Sequence, residues 1–98
     1  MELLPKKIEE KLPLLYATEE IETEEKILQI RYHSIYTDWE WYVVEYNKDT
    51  KIAFGYVIGQ EKEWGYFSIE EFQEINKEYL QIIRDEEFVA IKYKELLC

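Results

Sequence analysis

A chain of 98 residues, 47% of them hydrophobic, can fill one core and is too short for two. Residues 1–98 are therefore expected to form a single domain. Acids outnumber bases 22 to 12, for a formal charge of −10. That excludes the basic face that direct duplex nucleic-acid binding needs, and it opposes docking on an anionic membrane.

The elements follow from periodicity. Leu4, Ile8 and Leu12 recur at i, i+4, i+8 and predict a short helix over residues 5–12, opened by Pro5 and ended by Pro13. The acidic run at 18–25 reads as a solvated connector. Leu28, Ile30 and Tyr32 alternate with Gln29, Arg31 and His33, which predicts a strand over 27–35. Residues 39–46 predict a second strand, with Trp39 and Trp41 on one face and Tyr42, Val44 and Tyr46 on the other. A polar turn at 47–50 leads to a third strand over 51–58, where Gly55 and Gly59 signal a bulge or the close approach of another backbone. A short fourth strand is expected at 64–67. Ser68, with Glu71 three residues on, fits a capping box opening a helix that runs to about residue 81. Its buried face is expected to be Ile69, Phe72, Ile75 and Tyr79. Residues 82–83 read as a connector and 87–93 as a last strand, with Leu96 and Leu97 folding back.

Short links favour antiparallel pairing, so the predicted architecture is α+β. A sheet of three to five antiparallel strands forms one layer, and two helices on one face form the other. Its core is expected to include Ile8, Leu12, Ile30, Tyr56, Ile58, Phe67, Phe72 and Ile75.

Little in the sequence points to catalysis. One His and one Cys, His33 and Cys98, give no zinc-ligand spacing. No calcium loop or phosphate-cradling glycine turn occurs. Ser34 follows His33, but neighbouring strand residues face opposite ways. No enzyme activity, catalytic residue, metal or cofactor is expected. Cys98 allows no intramolecular disulfide and reads as an inert thiol in a reducing compartment. Residues 1–7 lack the apolar core of a signal peptide, so a cytoplasmic location is expected.

Two surface features remain. Carboxylates cluster at Glu22, Glu24 and Glu25 and along the second helix at Glu70, Glu71, Glu74 and Glu78. Glu70, Glu74 and Glu78 repeat every four residues, about 6 Å apart along a helix, on the scale of phosphate spacing. Such a stripe could imitate a nucleic-acid backbone and enter the basic groove of a nucleic-acid-handling protein, with Lys77 partly neutralising it. Trp39 and Trp41 form the alternative, an aromatic face of the kind that dominates protein–protein hot spots.

Four stretches carry a family resemblance: residues 4–21 (LPKKIEEKLPLLYATEEI), 39–46 (WEWYVVEY), 54–68 (FGYVIGQEKEWGYFS) and 83–88 (IRDEEF). In this order they resemble the bacterial and mobile-element family catalogued as domain of unknown function 2958. Two departures are a shorter turn between the second and third strands and no proline after Phe88. The family carries no established activity. The resemblance implies an accessory protein of a plasmid, integrative element or phage, acting in the host cytoplasm. Together with size and charge, it suggests a non-enzymatic inhibitor of anti-CRISPR or anti-restriction type. Its partner would be a CRISPR effector or restriction nuclease with a basic nucleic-acid-binding surface. The alternative is a cytoplasmic interaction module that docks through the aromatic face.

Overall fold

In the computed structural model, which describes residues 2–97, the elements in chain order are α1 (Lys6–Glu9), a 3-10 turn (Thr23–Glu25), β1 (Ile27–Leu28), β2 (Ile30–Ser34), β3 (Glu40–Asn47), β4 (Ile52–Ile58), β5 (Lys62–Ser68), α2 (Ile69–Glu78), β6 (Ile82–Arg84), β7 (Ile91–Lys92) and α3 (Tyr93–Leu96). Strands β2 to β5 form an antiparallel meander, and β6 joins it beside β2, giving the order β5-β4-β3-β2-β6. β1 and β7 pair separately as a small antiparallel sheet. The fold is thus the expected α+β arrangement with an antiparallel sheet of five strands.

Two local features shape the sheet. Val43 lies opposite Gly55, but Glu45, not Val44, lies opposite Phe54, so Val44 is the extra residue of a β-bulge. A bulge shifts the alternation by one. Tyr46 therefore joins Trp41 and Val43 on one face, while Tyr42 and Val44 stay on the other. This corrects the expectation that Tyr42, Val44 and Tyr46 share a face, which holds only for unbroken alternation. Gly55 sits at the bulge because nothing larger fits: a Cβ there would lie 1.7 Å from the Tyr42 carbonyl oxygen. The close backbone approach expected from Gly55 is present.

Each face of the sheet is covered. On the first, α1 and α2 bury Leu3, Leu12, Ile30, Tyr32, Val43, Tyr46, Ala53, Ile69, Phe72 and Ile82, with Ile8, Trp41 and Phe67 packed at the margin. The two helices share a face, as expected. The opposite face is covered too. The tail lays Phe88, Ile91, Tyr93 and Leu96 over Leu28, Tyr42, Val44 and Tyr56, with Ile58 and Trp64 beside them. Beyond the expected sheet-and-helix layers, the tail lies along the sheet's other face.

Several boundaries move. The first helix stops at Glu9 rather than residue 12. Leu28 and Ile30 belong to different sheets, so the single strand expected at 27–35 divides. Residues 82–84 form a strand because they complete the edge of β2. Of the strand expected at 87–93, only Ile91–Lys92 pairs. Among expected core residues, Leu12, Ile30, Tyr56 and Phe72 are buried, whereas Ile75 is 40% exposed and Tyr79 56%. Tyr79 lies just past the last helical residue with extended backbone, φ −161° and ψ 152°, so it does not continue the buried face of α2. Asn76 holds the chain that follows: its side chain accepts from Gln81 N at 3.0 Å and Ile82 N at 2.9 Å and donates to Ile82 O at 2.8 Å. Leu97 is exposed, whereas Leu96 packs on the tail-side core.

A polar network fastens the segment before the 3-10 turn. Glu45, only 3% exposed, accepts from Tyr16 N at 2.7 Å, from Thr18 N at 3.0 Å and from the Thr18 hydroxyl. Buried Lys26 donates to the carbonyl and the hydroxyl of Thr18. Tyr16 holds a left-handed backbone, φ 72°, that aims its N–H at Glu45.

Candidate functional site

Helix α2 starts where Ser68 caps it, its hydroxyl accepting from Glu71 N at 3.1 Å. Ile69 and Phe72 are buried against the sheet, and Phe72 stacks between Phe67, Trp41 and Tyr32. With this side fixed inward, Glu70, Glu71, Glu74 and Glu78 are all exposed along the outer surface. Lys77 pairs with Glu74 at 2.8 Å, and that hydrogen bond raises the lysine's pKa. Among the described residues, Glu70, Glu71 and Glu78 have no ion-pair partner.

The second acidic group divides. Glu22 and Glu24 are exposed. Glu25 pairs with Lys92 at 2.8 Å and Lys94 at 2.6 Å. Hydrogen bonds from Lys92 and then Lys94 hold its carboxyl at about 2. Its contacts therefore hold the C-terminal segment to the 3-10 turn.

The two tryptophans divide likewise. Trp41 is half-buried, its ring 4.8 Å from Phe72 beneath α2. Trp39 is 39% exposed, 5.8 Å from Trp41, and lies over Gly59, where a Cβ would come within 2.5 Å of the ring. Of the two, Trp39 offers the exposed ring, seated over Gly59.

On the tail side, Arg31 bridges Glu40 at 2.8 Å and Asp85 at 3.1 Å, and the Tyr42 hydroxyl donates to Glu40 at 2.8 Å. Burial raises the Tyr42 phenol to about 12, with help from its bond to Glu40. Desolvation would raise the Glu40 carboxyl, but hydrogen bonds from Tyr42 and Arg31 outweigh it and bring the pKa down. Beside this group an open hollow is lined by Arg31, His33, Ser34, Thr37, Asp38, Trp39 and Glu40. Its arginine is already answered by two carboxylates. The Ser34 oxygen accepts from the amides of Tyr36 and Thr37 at 3.2 Å each. The arrangement is one of internal charge compensation. Sequence alone did not find it, because Arg31 and Asp85 meet only once β6 is seated beside β2.

Among the described residues, no three His, Cys, Asp or Glu side chains converge as a metal site. No helix is long and apolar enough to cross a membrane. Cys98 lies outside the described residues.

A second feature that the sequence concealed is apolar. Ile35, Tyr36, Ile75, Tyr79 and Leu80 are each 40% or more exposed. Tyr36 and Tyr79 meet edge to face at 5.9 Å, and Ile35 N donates to Gln81 O at 2.8 Å. The sequence pattern places Ile75 and Tyr79 inside, which hides this surface.

No protein-family model matches the chain, and no curated protein and no solved structure matches it significantly.

Proposed function

We propose that the protein is a non-enzymatic inhibitor that binds the basic nucleic-acid-handling surface of a host defence protein, a CRISPR effector or a restriction nuclease, through its acidic face. The observation that carries this is the outward row of carboxylates on α2. They sit on a helix anchored by Ile69, Phe72 and Asn76, so the backbone that presents them is held before binding. Glu70, Glu71 and Glu78 have no cation partner among the described residues. A net charge of −10 steers such a protein toward a basic partner and speeds encounter. The resemblance to domain of unknown function 2958 supports a mobile-element origin.

The test is DNA cleavage by representative CRISPR effectors and restriction nucleases in the presence of the purified protein. Inhibition is expected at low salt. It should weaken as ionic strength rises, since the Debye length falls from about 10 Å at 0.1 M to about 3 Å at 1 M. The triple variant Glu70→Lys, Glu74→Lys, Glu78→Lys should fold and fail to inhibit. Inhibition by the triple variant equal to that of the parent would sink the proposal. A salt-insensitive complex would favour the alternative, an interaction module docking through the exposed ring of Trp39.

A further inference from the structure

We infer that the exposed flank of α2 and the β2–β3 loop form one docking patch for a cationic amphipathic segment of a protein partner. Tyr36, Ile75 and Tyr79 take its apolar side chains, and Glu71 and Glu78 pair its cations. This rests on the acidic-surface function proposed above and specifies the partner's chemistry.

Helix geometry places the groups. Ile69, Phe72 and Asn76 mark the side turned to the sheet. Residues three and four apart are neighbours on a helix surface. Glu71 and Ile75 are therefore neighbours, and Glu78 stands three residues beyond Ile75; Tyr79, the first residue past the helix, has extended backbone and meets the ring of Tyr36. Glu70 and Glu74 lie further round, where Lys77 already compensates Glu74. Along the exposed side of α2, the apolar flank is thus bordered by two carboxylates that no cation answers among the described residues. Tyr36 extends the patch across to the loop, with its ring against Tyr79.

The patch is held in place. The Asn76 tether and the bond from Ile35 N to Gln81 O fix both sides of it. Contiguous exposed apolar surface on a soluble chain marks an interaction site. Charge selects the occupant. A second copy would set Glu71 and Glu78 against another carboxylate rim, on a chain of −10. An anionic membrane meets the same repulsion. A segment carrying Lys or Arg beside apolar anchors satisfies both parts, in the manner of a helix laid on an apolar surface.

The probe is a five-turn helical peptide with Leu along one face and Lys flanking it, titrated into isotope-labelled protein and followed by amide chemical shifts. Controls replace every Lys by Glu, or every Leu by Ser. The Leu/Lys peptide should shift the amides of Tyr36, Ile75 and Tyr79, and both controls should fail. Ile75→Ser with Tyr79→Ser should weaken binding about tenfold, as loss of central apolar anchors does. Tyr36→Ser, which leaves the helix intact, should weaken it in the same direction. Glu71→Lys with Glu78→Lys should cost about tenfold, and Glu70→Lys with Glu74→Lys less than about threefold. Shifts confined to another surface, or equal binding of the Leu/Glu peptide, would overturn the patch. Equal losses from both charge-reversal pairs would leave the acidic-surface function standing and remove the patch. No loss from either pair would remove both. A dimer in sedimentation that Tyr79→Ser dissolves would assign the patch to a second copy and refute the cationic segment.

Discussion

A carboxylate with almost no solvent contact must find donors inside the protein. Glu45 finds two amides and a hydroxyl in the loop that carries Tyr16 and Thr18. Removing it leaves those donors without their acceptor, beside a buried Lys26 held by Thr18 alone. Glu45→Ala is expected to cost about 3 kcal/mol, measured as a shift in the urea midpoint. The loop should loosen first, with exchange of the Thr18 amide as the local readout. The glycines supply a sharper contrast at the same scale. A Cβ at Gly55 meets the Tyr42 carbonyl at 1.7 Å, whereas one at Gly65 meets nothing within 4 Å. Gly55→Ala should therefore destabilise by more than about 3 kcal/mol, and Gly65→Ala should be neutral or stabilising by about 0.5 kcal/mol. Equal melting temperatures for the two variants would contradict the bulge geometry. The close approach at Gly55 was legible because glycine inside a strand has few other uses. The burial of Glu45 was not. Its donors come from Tyr16 and Thr18, 29 and 27 residues away in the chain, and no local pattern announces them.

Among elements, α2 shows where sequence signals are strong and where they fade. Its start was legible in Ser68 and Glu71, since a cap is a contact between near neighbours. Its end was not, because Asn76 works by binding residues 81 and 82 after the chain has turned, and periodicity carries no sign of that. Exposure of Glu70, Glu71, Glu74 and Glu78 followed from the pattern, whereas that of Tyr79 depended on the helix ending one residue before it. The C-terminal elements β7 and α3 rest partly on charge. Glu25 falls from an ordinary 4.5 to about 2 through Lys92 and Lys94. A lowered folded-state pKa contributes stability that is complete above about 4.5 and is lost as pH falls toward 2. Acid should therefore loosen the tail across that window. Glu25→Gln should weaken the tail's attachment at neutral pH and remove this part of the acid dependence. Amide exchange at Tyr93, whose N–H is bonded to Lys26 O at 2.8 Å, measures it. High salt should mimic the variant, because the pair is exposed.

For the whole molecule, alkaline pH is the more revealing stress. Burial pushes the phenols of Tyr42 and Tyr46 from an ordinary 10 up to about 12, and that of Tyr32 higher still. Groups whose folded pKa is raised contribute stability that is whole below 10 and is lost as pH climbs to 12. Base should unfold the protein in that interval, with a step in tyrosinate absorbance accompanying the loss of the sheet signal. Loss of the sheet signal with no such step would place these rings nearer solvent than the structure does. The α+β class and antiparallel meander were legible because β2 to β5 are joined by short links. The seating of β6 beside β2 and of β7 beside β1 was not, since both pairings join residues about fifty or more apart in the chain. For the same reason, the Arg31–Asp85 bridge had no local signature.

The pairing of β1 with β7 also has a consequence for how the protein is made. The chain emerges from the ribosome in order, and residues 91–96 are synthesised after every strand that they cover. Until they arrive, the meander can form its hydrogen bonds while Tyr42, Val44, Tyr56 and Trp64 still face water. For that interval, the nascent chain carries an uncovered aromatic sheet face of the kind that chaperones and aggregates both recognise. A chain cut short before Phe88 would remain in that state, whereas one that reaches Leu96 closes it.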